Sequence, residues 1–265
     1  MFKIIARMWQ VNWALQWQYR ANLLMYVLYG LVSPVVFLSV WRSVAAAQGQ
    51  VAGLTVNDFT VYYLALLIIE NLTGEISIWV LAYKVQDGTL SGELLLPVHP
   101  VLTNTLMNNL ANKALTFVVL LPVWGLLYLL FRPDFSSITA ASLLLTIPAV
   151  LLGFLINFLL GAMITCASFW TTQVYSLSEF LFGFQLLLGG IFVPLTLLPA
   201  VAQKIAFVLP FHLFLYFPVQ LVLGRLTPEQ ILWNFALQGL WLLLTALGFR
   251  WIWSAGLKRY SAVGA

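Results

Sequence analysis

Long unbroken apolar runs are the feature that most constrains this chain. Six of them recur, at about 23–44, 59–80, 114–131, 140–166, 176–192 and 231–253. A hydrocarbon core of roughly 30 Å needs about 20 apolar residues of helix, because lipid offers no partner for unpaired backbone groups and a helix satisfies its own. A barrel would need strands of about ten residues that alternate in polarity, and these runs do not alternate. Charged residues make up 8% of the chain and the mean hydropathy is +0.98, against about a quarter charged in soluble domains. The sequence therefore predicts an all-α integral membrane protein with six transmembrane helices in a single domain, 1–265. That length leaves no room for a soluble catalytic domain between the spans.

The few charges orient the bundle. Lys3, Arg7, Arg20, Lys84, Lys113, Arg250, Lys258 and Arg259 fall on the side of the N-terminus, while Arg42, Arg132, Lys204 and Arg225 fall on the other. Cytoplasmic connections carry the excess of Lys and Arg, so both termini are expected in the cytoplasm and the chain in the plasma (inner) membrane. The net charge is +4, yet the basic residues stand singly at the edges of apolar runs and form no patch for nucleic acid. The single Cys166 excludes an intrachain disulfide or a cysteine metal cluster and reads as a small packing residue.

Two segments are apolar without reading as spans. Residues 1–21 place Ile4, Met8, Val11 and Leu15 on one helical stripe and Trp9, Trp13 and Trp17 on another. Indole rings favour the headgroup layer, so this segment is expected as an amphipathic interfacial helix on the cytoplasmic leaflet, anchored by those tryptophans. Residues 193–225 are broken by Pro194, Pro199, Pro210 and Pro218. Proline removes an amide donor and kinks a helix, so short re-entrant helices on the outer side are expected before the last span.

Candidate chemistry is sparse. Glu70, Asn71 and Glu75 interrupt the second run, and Glu179 the fifth; ionisable groups at such depth face a bundle interior or water. At about 100° per residue Asn71 and Glu75 share a helical face and Glu70 points some 140° away. Glu75 is accordingly expected at a polar, water-reached entrance on the cytoplasmic half, Glu70 against a neighbouring helix, and Glu179 paired with a basic residue. Lys and Arg are expected to be missing from the depth of the spans. His99 and His212 fall on opposite sides of the membrane. No metal-ligand spacing, no G-x-S-x-G and no G-x-x-x-x-G-K-[ST] is present, so neither an enzyme nor a bound nucleotide is expected in this chain.

The polar stretch YKVQDGTLSGELLLPVHP, beginning at Tyr83, stands out against this background. Asp87-Gly88 suits a tight turn, and Pro97 and Pro100 limit where a helix can run. It follows the second run in a connection, 81–113, that is long for a helical bundle. With six spans, cytoplasmic termini, an amphipathic N-terminal helix and a proline-broken outer segment containing Leu209-Pro210-Phe211, the chain resembles the type 2 ABC exporter permeases. VQDGTLSGELLLPVHP is similar to that family's glycine-led turn and LLxPxxP-like ending. The resemblance implies that Lys84, Gln86, Asp87, Gly88, Glu93 and His99 form or flank a coupling surface for a separate ABC ATPase, present in two copies, which holds the ATP and Mg. It further implies a second permease, identical or related, and facing spans one, two and five that part to pass an amphiphilic, lipid-like or glycan-linked cargo outward. A channel or ion-coupled transporter using Glu70 and Glu75 is the alternative that the residues leave open.

Overall fold

A computed structural model describes residues 2–75 and 78–260. Residues 76–77, within the second expected span, and 261–265, at the end of the expected domain, lie outside the described residues, as do the side chains of Lys3 and Arg20. Among the described residues the architecture is helical without strands. In chain order the helices are α1 (Phe2–Gln18), α2 (Arg20–Gln48), α3 (Val56–Thr73), α4 (Ile78–Gln86), α5 (Leu90–Leu94), α6 (Met107–Phe131), α7 (Ala140–Cys166), α8 (Val174–Leu188), α9 (Ala200–Val208), α10 (Phe211–Phe214), α11 (Tyr216–Val222) and α12 (Pro228–Leu257).

Four segments are long and apolar enough to cross a membrane: Val27–Gln48, Met107–Phe131, Ala140–Phe169 and Pro228–Leu257. The other two expected spans differ in form. The second run is no single helix: α3 stops at Thr73, and α4 begins at Ile78. The fifth is α8, apolar but only 15 residues long. The expected connection 81–113 also shrinks, because α4 extends to Gln86 and α6 begins at Met107, after a π-helical turn Val101–Leu106. The proline-broken segment folds into the short helices α9 to α11, as its four prolines dictate.

Contacts fix the two ends of the bundle. At one end Asn57 bonds Asp134 in both directions, Arg225 pairs with Asp58, and the Arg42 guanidinium stands 4.5 Å over the Phe131 ring. At the other, Gln16 of α1 bonds Asn108 and Asn112 of α6, and Trp253 of α12 packs on Phe169. The helices that start from the first end, α3, α7 and α12, each carry a capping box, at Thr55/Asp58, Thr139/Ser142 and Thr227/Gln230. Their first-turn amides, which have no intrahelical partners, are thereby satisfied and the starts are sharp.

α3 contributes Phe59, Val61, Tyr62, Tyr63, Leu66 and Ile69 to the main apolar core. Its Tyr62 and Tyr63 are buried among Phe59, Phe214 and Leu66, and their hydroxyls donate to Gly190 O and Phe192 O at 2.7 and 2.9 Å. The approach requires glycine: Gly190 has φ +91°, and a Cβ there would stand 2.6 Å from the Tyr62 hydroxyl.

Candidate functional site

The break after α3 builds the most polar place inside the bundle. Gly74 turns extended at ψ 151° while its amide still donates to Glu70 O. The carbonyls at the end of α3 then need outside donors. Lys113 of α6 supplies its ammonium to Asn71 O and Gly74 O, and Asn157 of α7 donates to Thr73 O at 3.0 Å. Gln185 of α8 in turn donates to Asn157 at 2.9 Å, and Asn109 of α6 donates to Glu75 at 3.1 Å. Three helices thus converge on one interrupted helix end.

Lys113 corrects the expectation that no lysine lies deep in a span. It is 8% exposed, about 9 Å along α6 from the helix start by a rise of 1.5 Å per residue, with its ammonium 5.1 Å from the Phe154 ring centre. By sequence it falls at the end of the loop, because the apolar run begins one residue later. The helix in fact begins at Met107.

Beside this cluster a cavity of about 630 Å³ opens between α2, α3, α6, α7 and α8. Glu70, Asn71 and Glu75 all line it, and Glu179 stands exposed on the α8 wall. The expected separation of the two glutamates does not hold, for a definite reason: the helical angle stops applying at Thr73, and the break swings Glu75 back onto the cavity. Gly161 leaves room for it, since a Cβ there would stand 2.6 Å from Glu75 Oε2. Glu179 does not find a basic partner among the described residues; the Tyr175 hydroxyl, one turn earlier on α8, is hydrogen-bonded to it. Aromatic and aliphatic side chains complete the lining, among them Tyr29, Phe182, Phe214, Leu67 and Leu120.

The polar stretch after α4 folds into a knob at the α1 end of the bundle. Asp87 accepts from the Thr89 amide and hydroxyl at 3.0 and 2.7 Å, which holds its carboxyl below the usual carboxylate range. Gly88 takes φ +81° to close the turn into α5. Of the residues assigned to this surface, Gln86 and Asp87 are exposed. Lys84 and Glu93 instead pair with each other, partly buried, and His99 turns inward, 4.8 Å from the Trp253 ring and 5.9 Å from Phe249. Burial there pushes the His99 imidazole below its ordinary value. The outermost side chains are apolar: Leu95 is 87% exposed, flanked by exposed Leu94 and Leu96.

A family model described as ABC-2 family transporter protein matches residues 17–264. The chain belongs to this family. No match is found among curated proteins. Membership makes the chain a multi-pass membrane transport subunit, and ABC-2 permeases typically work with an ABC ATPase subunit.

Within this ABC-2 protein, α1 bears Trp9, Trp13 and Trp17 as a helix packed on α6, with Trp9 and Trp13 stacked at 5.8 Å and Trp17 exposed. The two histidines are kept apart as expected: His212 bonds Asn234 near the start of α12, and His99 meets Trp253 near its end. Asn157 and Gln185 went unremarked in the sequence, although each is an amide in an apolar run and the reasoning that singled out Glu70 applies to both.

Proposed function

We propose that this chain is the cargo-conducting subunit of an ATP-driven exporter, oriented with both termini and the 84–99 knob in the cytoplasm. α3 with α4, and α8, complete the set of six spans, and α9 to α11 are re-entrant from the outer side. The observation that carries the reading is the conjunction of an interior cavity with a leucine-tipped knob that leads directly into α6, one of the helices that wall it. A soluble ATPase seated on Gln86, Asp87 and Leu94 to Leu96 pushes on α4 and α6. ATP closes the two ATPase copies, and the closure drives the permease because ATP binds the two states with different affinity.

Cargo leaves through the face between α2 and α8. That face is bare and apolar, with Met25, Leu28, Tyr29 and Val32 on α2 and Phe180 and Leu187 on α8 exposed. A second permease, identical or related, seats there and closes the cavity into a path. A lining that mixes polar and aromatic side chains suits an amphiphilic or lipid-like molecule. Lys113 is committed to helix carbonyls, whereas Glu70 and Glu179 have no cationic partner among the described residues, so a neutral or cationic head group fits better than an anionic one.

The placement of Glu70 and Glu75 on one cavity is the observation that favours the second reading, an ion-coupled transporter. The experiment that tests the first is co-purification of an ABC ATPase with the wild-type chain and with Asp87→Lys, which reverses the charge at the knob. ATPase should be retained by the wild type and lost from the variant. Equal retention and equal ATP response in both would remove the knob from the coupling role.

A further inference from the structure

The far end of the chain grips the knob. The Tyr260 hydroxyl donates to Gly88 O at 2.7 Å and accepts from the Ser91 amide at 3.1 Å, so a residue just past α12 adds a second partner to an amide and a carbonyl that already bond each other at 3.2 Å across the start of α5. The Tyr260 ring lies edge-on to Phe169, which also meets Trp253, and Trp253 carries His99. Gly256 is required for this assembly, since a Cβ there would fall 2.2 Å from the Phe169 ring. Leu90 is fully buried beneath, in a cluster with Leu81, Val101, Cys166 and Trp253. The knob is therefore fastened to the end of α12 as well as to α4, which it follows in sequence.

α12 continues unbroken for 30 residues, about 45 Å at 1.5 Å per residue. Along its first half it holds the short helices. Trp241 donates to Val208 O at 3.1 Å, the Gln238 amide donates to Leu213 O and Ala149 O at 2.8 Å each, and Asn234 bonds His212. A helix has little compliance along its axis, so displacement at Tyr260 arrives at Val208 and Leu213.

We propose that α12 is a second output of the knob, a rod that carries movement from the Tyr260 clasp to the short helices α9 to α11 at the opposite end of the bundle. Tyr260 and Trp241 are its positioning residues. The proposal rests on the reading of residues 84–99 as the ATPase contact, and it adds that the ATPase acts on the outer helices through the last span.

The test uses the permease with its ATPase in lipid nanodiscs. Val201, 72% exposed on α9, is changed to cysteine and carries an environment-sensitive fluorophore; Cys166 is buried and does not compete. ATP should alter quenching of that fluorophore in the otherwise wild-type complex. Tyr260→Phe keeps the ring and removes both hydrogen bonds, and should reduce the response roughly fivefold, the factor expected from losing hydrogen bonds of ordinary net strength. Faster amide exchange at Ser91 in that variant verifies that the clasp is open, while ATPase retention stays at the wild-type value. Trp241→Phe, midway along α12 where it meets Val208, should reduce the response without altering Ser91 exchange. Wild-type amplitude in both variants overturns the proposal, as does a wild-type complex whose fluorophore ignores ATP. Loss of ATPase from Tyr260→Phe also overturns it, by making Tyr260 part of the docking surface. Failure of the wild-type chain to retain any ATPase is the separate result that removes the underlying reading.

Discussion

The ammonium of Lys113 lies 2.9 Å from the carbonyl oxygen of Asn71. That contact joins the start of one membrane helix to the end of another and stands in for the intrahelical donors that α3 loses when it stops at Thr73. It also fixes the only lysine among the described residues that sits buried within a helix apolar and long enough to span.

Lys113→Met keeps the stem and deletes the donors, leaving Asn71 O and Gly74 O buried without them. The expected cost is about 1–3 kcal/mol, the penalty for a buried polar group left unsatisfied. Denaturant unfolding in detergent micelles measures it. An unchanged unfolding midpoint would show that water replaces the ammonium.

Gly190→Ala and Gly125→Ala should act in opposite directions. At Gly190 the backbone is left-handed and a Cβ would collide with the Tyr62 hydroxyl, whereas at Gly125, inside α6, nothing lies within 4 Å. Thermal melts should show the first destabilised by about 1–3 kcal/mol, as for overpacking and strain. The second should be neutral or stabilised by about 0.5–1 kcal/mol through helix propensity. Equal effects would contradict the packing described for α3.

These residues show what the sequence makes legible. The apolar runs locate the helices, and the four prolines of 193–225 foretell short segments, because both depend on local chain physics. The grouping of Glu70 with Glu75 does not follow from periodicity, since one glycine ends the period between them. Lys113 is hidden because a lysine at the edge of an apolar run reads equally as loop or helix. Tyr260 offers no local signal at all, its partners lying 169 and 172 residues away.

The cavity charge gives a prediction independent of any known cargo. Tetraphenylphosphonium and tetraphenylborate have the same shape and opposite charge, and the cation should bind the chain in nanodiscs more tightly. The double variant Glu70→Gln with Glu179→Gln should narrow that preference by about tenfold or more, corresponding to roughly 1.4 kcal/mol. Equilibrium dialysis reads both ions. Tighter binding of the anion would contradict the assignment of Lys113 to the helix carbonyls.

Acid should loosen the knob through His99. Its imidazole is held below the ordinary value of 6.5 by burial against Trp253 and Phe249, so the undocked loop takes up a proton before the docked one does. Docking is therefore complete above about pH 6.5 and weakens as pH falls below it. Amide exchange over residues 88–99 should accelerate between pH 7.5 and 5.5 after correction for intrinsic rates, and His99→Phe should remove the step. Asp87, lowered by its Thr89 bonds, contributes only as pH falls through the carboxylate range, which keeps the two effects apart.

The most direct test of the central claim is uphill transport in sealed vesicles holding the purified chain, first alone and then with its co-purified ATPase. Tetraphenylphosphonium accumulation serves as the readout. With the chain alone, under proton or sodium gradients at zero membrane potential, no accumulation above equilibrium is predicted; ATP with the ATPase present should produce it. Accumulation by the chain alone under either gradient would contradict the account and identify Glu70 and Glu75 as carriers of the coupling ion.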